Sequence, residues 1–231
     1  MSSPDPHPVH MVDVEITEPL QPPGVEGPVQ LLVRRDGVPC AVARAGTPGR
    51  RMSLLELRQA LTDATNDLLP AGFFATDGLL PAGGIPPAQQ PDRQQRPPMS
   101  VVVTTCEASP TLLHTLASLA AQTHPALEVI VVDNRPATSG VAAFLLRHGV
   151  DGVRLIEEPL PGLSRARNAG LAAARGELVA FTDDDVEVDP RWLEALSRPF
   201  EDAPVACVTG LVLPLELQTP AQFWFEQFGG F

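Results

Sequence analysis

From residue 99 onward, short runs that are apolar at nearly every position alternate with longer runs that are apolar at every third or fourth. Ser100–Thr105 (SVVVTT), Glu128–Asp133 (EVIVVD), Val153–Glu157 (VRLIE) and Leu178–Thr182 (LVAFT) belong to the first kind and read as buried strands. Ala206–Leu213 is expected to be a fifth. The intervening runs read as helices. Ser109 caps and Pro110 opens one that reaches about Gln122, with Leu112, Leu116 and Leu119 on one face. A weaker helix covers Ser139–His148, another Leu163–Ala174 after Gly162, and Asp189 with Pro190 opens one that reaches about Phe200.

Strands of this kind, alternating with helices, predict an α/β fold: a mostly parallel sheet with helices on both faces. Right-handed crossovers then bring the C-terminal end of every strand to one edge, where ligands of such sheets sit. Thr104 to Glu107, Asp133 with Asn134, and Asp183 to Asp185 all follow strand ends. They are expected to converge on one crevice.

The first half has a different texture. Residues 1–10 read as a disordered tail and residues 11–75 as a small α+β domain. Val12–Ile16 alternates as a strand does, and residues 29–44 read as a hairpin turning at Asp36-Gly37. Ser53 and Glu56 form a capping box for a helix from about Leu54 to Leu69, with Leu54, Leu57, Leu61 and Leu68 at near-helical spacing. Residues 76–98, rich in Pro, Gly and Gln, read as a linker. Residues 99–231 form the second domain.

Charge narrows the function. The chain of 231 residues carries 16 basic against 28 acidic side chains, a net charge of -12. A nucleic-acid binder needs a basic surface to neutralise phosphates, so that class is disfavoured. A nucleotide ligand is still compatible, because a few arginines and a metal can hold one diphosphate. Cys40, Cys106 and Cys207 show neither metal-ligand nor redox spacing and read as reduced thiols. No signal peptide and no membrane-spanning run is legible, so the expected location is cytoplasmic, or peripheral at the inner membrane face.

The sharpest chemical feature is Asp183-Asp184-Asp185 after LVAFT. Adjacent carboxylates repel one another unless something positive sits among them. Oxygen ligands at a strand end suit a hard cation, Mg²⁺ or Mn²⁺. A solvated acidic turn is the plain alternative. The second feature is Gly162-Leu-Ser-Arg-Ala-Arg-Asn-Ala-Gly170, where Arg165 and Arg167 in a first helical turn oppose the helix dipole, a conflict that a bound anion removes. Asn168 and Gly170 are also poor helix formers. Asp133 can accept a hydrogen bond from a base or ribose, or simply start an Asx turn. Thr104-Thr105-Cys106-Glu107 is in isolation a polar loop.

As an ordered set, SVVVTTCEA, EVIVVDN and GLSRARNAGLAAARGELVAFTDDDV resemble the family 2 glycosyltransferases of the GT-A, Rossmann-like fold, over roughly residues 99–213. The resemblance implies a metal-dependent, inverting transfer of a sugar from a nucleotide-diphosphate sugar, most commonly a UDP-sugar, to an acceptor it does not name. It implies that Thr105 and Glu107 contact the nucleoside and that Asp133 reads the base. Arg167, with Arg165 and Asn168 beside it, would lie near the diphosphate. Asp183 would face ribose or metal, Asp185 would be the main metal ligand, and Asp184 fills the variable middle place. The loop after the first strand departs from the family's frequent Tyr-Asn or Arg-Asn, and the chain has no tyrosine. The family's base lies well beyond the metal motif, so the chain looks cut short, and it is expected to bind donor without efficient turnover. Glu216 and Glu226 read as structural. The rivals are a catalytically incomplete nucleotide-diphosphate-binding module and a nucleotidyltransferase, which usually has a Gly-rich first loop that TTCEASP lacks.

Overall fold

The structure, a computed structural model, describes residues 7–65, 96–125, 127–202 and 204–228. The predicted helix positions 66–69, with Leu68, and nearly all of the predicted linker lie outside them. The chain divides into two units, one drawn from Met1–Gln90 and Leu211–Phe231, the other from Pro91–Gly210.

The first unit is built on a three-stranded sheet, β1 (His10–Glu15), β2 (Val29–Arg35) and β3 (Val38–Ala45), in that order. β1 runs parallel to β2, and β2 antiparallel to β3. Asp36 and Gly37 form the two-residue turn, with φ of 52° and 75°, the left-handed pair that a type I′ hairpin requires. Glu15 secures that turn: its carboxylate accepts the N–H groups of Asp36 (3.1 Å) and Gly37 (2.7 Å). Helix α1 (Leu54–Thr65) opens with the expected capping box, Ser53 N–H donating to Glu56 and Glu56 N–H to Ser53 Oγ. Leu57 and Leu61 bury against Val14, Val29, Leu31 and Val33.

The C-terminal segment belongs to this unit, so the division differs from the expected boundary at 99–231. Val9 N–H donates to the Leu217 carbonyl at 2.9 Å, and Leu217 is 1% exposed. In the last helix, α7 (Pro220–Phe228 in chain order), Glu226 pairs with Arg44 at 3.5 Å and the Arg44 guanidinium lies over the Phe223 ring. Glu216 accepts a hydrogen bond from Gln222 (2.9 Å), so both late glutamates have structural partners.

The second unit is a parallel sheet of β4 (Met99–Thr105), β5 (Leu127–Asp133), β6 (Val153–Glu157) and β7 (Leu178–Asp183), in the order β6-β5-β4-β7. Helices cover both faces, as the α/β reading requires. On one face, α2 (Pro110–Ala120), α3 (Val141–Arg147) and α5 (Trp192–Ser197) bury Leu112, Leu116, Leu119, Val141, Leu145 and Leu193 against Val101, Val103 and Val131. On the other, α4 (Leu163–Ala173) packs Ala166, Ala169 and Ala173 against Val102, Ile130 and Val132. Ser109 caps α2 by accepting the Leu112 N–H.

Two expectations are corrected. Ala206–Leu213 forms no strand; most of it is exposed, Gly210 and Pro214 interrupt its apolar run, and it crosses from one unit to the other. Strand propensity depends on context, so composition alone does not make a strand. The helix expected from Pro190 to Phe200 starts at Trp192 and breaks before Pro199, whose ring cannot supply the helical N–H, giving α5 and a short α6 (Pro199–Asp202).

Candidate functional site

The sheet register sets the site. Thr105 lies beside Asp133, Asp133 beside Glu157, and Thr104 beside Asp183. The strand ends named from the sequence therefore share one edge. The strand order reverses between β4 and β7, and that reversal is where doubly wound sheets leave a crevice for ligand. The register also separates the residues by face. Thr105 and Asp133 alternate toward the side of α2 and α3, Thr104 and Asp183 toward α4.

Helix α4 lies very close to the sheet. A Cβ on Gly170 would come within 2.3 Å of Val102 Cγ1 and 3.1 Å of Val132 Cγ2, so only glycine permits this approach. The same closeness brings Arg167, one turn earlier, to Asp183: guanidinium nitrogen and carboxylate oxygen are 3.1 Å apart. Both side chains remain about half exposed. Arg165 and Asn168 are exposed, so of the two arginines Arg167 is the one that meets a carboxylate.

The acidic turn is anchored from the opposite face. Thr115 Oγ1 and Ser118 Oγ, on α2, accept the N–H groups of Val186 (3.1 Å) and Val188 (3.2 Å). Gln122 donates to the Asp189 carbonyl and accepts the Leu193 N–H. The chain after Asp185 is thus tied down at successive points while Asp183 and Asp185 stay exposed. These anchors escaped the sequence reading. Their signal was a polar stripe at 115, 118 and 122 on a helix otherwise read only for its leucines.

Asp133 is 2% exposed, and each of its oxygens already accepts from its own loop, one from Arg135 N–H (2.9 Å) and one from the Ser139 hydroxyl. Its geometry is that of an Asx turn. Thr105 is buried, and its hydroxyl donates to the Glu107 carbonyl at 2.9 Å; the Glu107 side chain is exposed.

The donor set at the turn is carboxylate oxygen, the chemistry of a hard divalent cation. Among the described residues no group of three or more His, Cys, Asp or Glu is gathered to hold a metal. Asp183 and Asp185 are both exposed there and offer carboxylate oxygens, the donor type that Mg²⁺ takes beside substrate phosphates.

A family model described as "Glycosyl transferase family 2" matches residues 100–219. The chain is 33% identical over 134 residues to the glucosyl-dolichyl phosphate glucuronosyltransferase of Haloferax volcanii, covering 56% of this chain and 43% of the relative. It is 33% identical over 106 residues to the uncharacterized glycosyltransferase EpsJ of Bacillus subtilis, covering 46% and 31%. Among solved structures it is similar to the mannosyltransferase PcManGT of Pyrobaculum calidifontis, solved in complex with GDP-Man and Mn²⁺, at 31% identity and a TM-score of 0.43, covering 52% of this chain and 38% of that one. The chain spans less than half the length of these relatives.

Proposed function

We propose, from the premise that this chain belongs to glycosyl transferase family 2, that its second unit binds a nucleotide-diphosphate sugar and presents the sugar to an acceptor. The observation that carries the reading is the Arg167–Asp183 contact at the point where the strand order reverses, a cation and an acidic turn side by side. Arg167 would exchange its carboxylate partner for the diphosphate, where a guanidinium fork suits phosphate oxygens. Asp183 and Asp185 would hold Mg²⁺ or Mn²⁺. When bound, that cation supplies charge neutralisation of the diphosphate as a leaving group. Thr105 and Glu107 would form the nucleoside side of the crevice. Asp133 would act chiefly by shaping the loop that borders it, since its oxygens are engaged there. An inverting displacement also needs a carboxylate to take the acceptor's proton; no residue is assigned that part.

The test is calorimetric titration of UDP and of GDP, each with and without Mn²⁺, into the wild type and Asp185→Ala. Metal-dependent binding that disappears in the variant is expected. Absence of binding from a folded protein, or binding indifferent to both metal and variant, overturns the reading.

A further inference from the structure

Asn134, the residue after β5, makes four hydrogen bonds along the crevice edge. Its backbone N–H donates to the Thr105 carbonyl at 2.8 Å. Its side-chain nitrogen donates to the carbonyls of Glu158 (2.9 Å) and Leu160 (2.8 Å). Its side-chain oxygen accepts the Gly162 N–H at 2.8 Å. One planar amide thus closes on the segment Glu158-Pro159-Leu160-Pro161-Gly162, which leads from β6 into α4.

That segment has few donors of its own. Pro159 and Pro161 have no N–H. Glu158 N–H is used by the Asp133 carbonyl, and Leu160 N–H by the Glu158 carboxylate. The carbonyls at 158 and 160 are met from outside, by a group that offers two N–H donors and an acceptor together. A carboxylate at 134 could keep the bond from Gly162, but it would turn lone pairs toward two carbonyls.

Gly162 then begins α4: its carbonyl accepts the N–H groups of Arg165 (3.0 Å) and Ala166 (3.1 Å). Its φ of +140° makes the turn into the helix one that other residues rarely adopt. We propose that Asn134 is a positioning residue for the diphosphate end of the donor site, holding the Glu158–Gly162 segment so that the N-terminal half of α4 presents Arg165 and Arg167 to the crevice. This rests on the donor-site reading above. The alternative is a purely structural staple, and the two differ in which part of a nucleotide should feel its loss.

The test uses the full chain with Mn²⁺ and two nucleotide pairs, UDP with UMP and GDP with GMP, titrated into wild type, Asn134→Asp and Asn134→Ala. The wild type is measured first and is expected to bind one diphosphate more tightly than its monophosphate. Both variants should lose about tenfold on that diphosphate and less than about twofold on the monophosphate. Asn134→Ala, which introduces no repulsion, keeps the question open to measurement if Asn134→Asp folds poorly. Equal weakening of both nucleotides, or an unchanged ratio, overturns the positioning role while leaving the donor site standing. No diphosphate binding by the wild type overturns the donor site and this role with it.

Discussion

Arg167, in the second turn of α4, and Asp183, at the end of β7, meet at 3.1 Å across the edge of the sheet. Their exposure makes the pair weak as a source of stability, because half-solvated ion pairs contribute at most about 1 kcal/mol. Arg167→Ala should therefore shift the urea-unfolding free energy by less than about 1 kcal/mol while weakening diphosphate binding about tenfold or more. Unchanged affinity in that variant would remove Arg167 from the proposed donor site.

Gly170 should tolerate nothing larger. Alanine gains up to about 1 kcal/mol of helix propensity, but its Cβ would sit 2.3 Å from Val102 Cγ1, and overpacking of this kind costs about 1–3 kcal/mol. Net destabilisation is expected, with α4 displaced and nucleotide binding reduced. Combining Gly170→Ala with Val102→Ala removes the clashing methyls and should restore part of both. If the double variant binds no better than Gly170→Ala alone, close approach of α4 is not what Gly170 provides.

Arg96 and Glu194 form a buried pair at 2.6 Å, their side chains 2% and 4% exposed. Burial raises the Glu194 pKa, but hydrogen bonds from Arg96, Thr123 and Arg191, together with the Arg96 charge, outweigh it and hold the carboxyl below its ordinary range. Arg96→Ala should cost about 3 kcal/mol in denaturant unfolding, because the buried carboxylate then keeps only the longer Arg191 contact at 3.4 Å as its charged partner. A loss below about 1 kcal/mol would mean that water reaches the pair.

Glu15 makes the first unit acid-sensitive. Partial burial raises its pKa, but the Thr17 hydroxyl and the N–H groups of Gly37, Thr17 and Asp36 outweigh this, so the folded-state value lies below the ordinary one. A carboxyl depressed by folding contributes stability that is complete above its unfolded pKa and is lost as pH falls through the folded one. Unfolding measured from pH 7 downward should show this loss beginning at the ordinary glutamate range and continuing below it. Glu15→Gln should flatten that part of the profile; an unchanged profile would show that Glu15 does not carry it.

Much of the second unit was legible because its signals are local. A run such as VIVVD is buried whichever strand lies beside it, and Ser109-Pro110 starts a helix in any context. The acidic turn and the RARN helix stood out because their residues are poor choices for their own elements. The failures came where an outside partner decides. Ala206–Leu213 has strand composition but pairs with no strand among the described residues, and Leu217 joins Val9 from the far end of the chain.

Taken alone, the sequence determined the alternation of β4 to β7 with their helices, the turn at Asp36-Gly37, the caps at Ser53 and Ser109, and the carboxylates and arginines near one edge, since each follows from patterns within about a dozen residues. The tertiary structure decided which arginine meets which carboxylate, that Asp133 spends its oxygens on its own loop, and that Asn134 staples the entry to α4. Those outcomes depend on register and on approach distances of a few tenths of an ångström between segments distant in the chain, which no local pattern encodes.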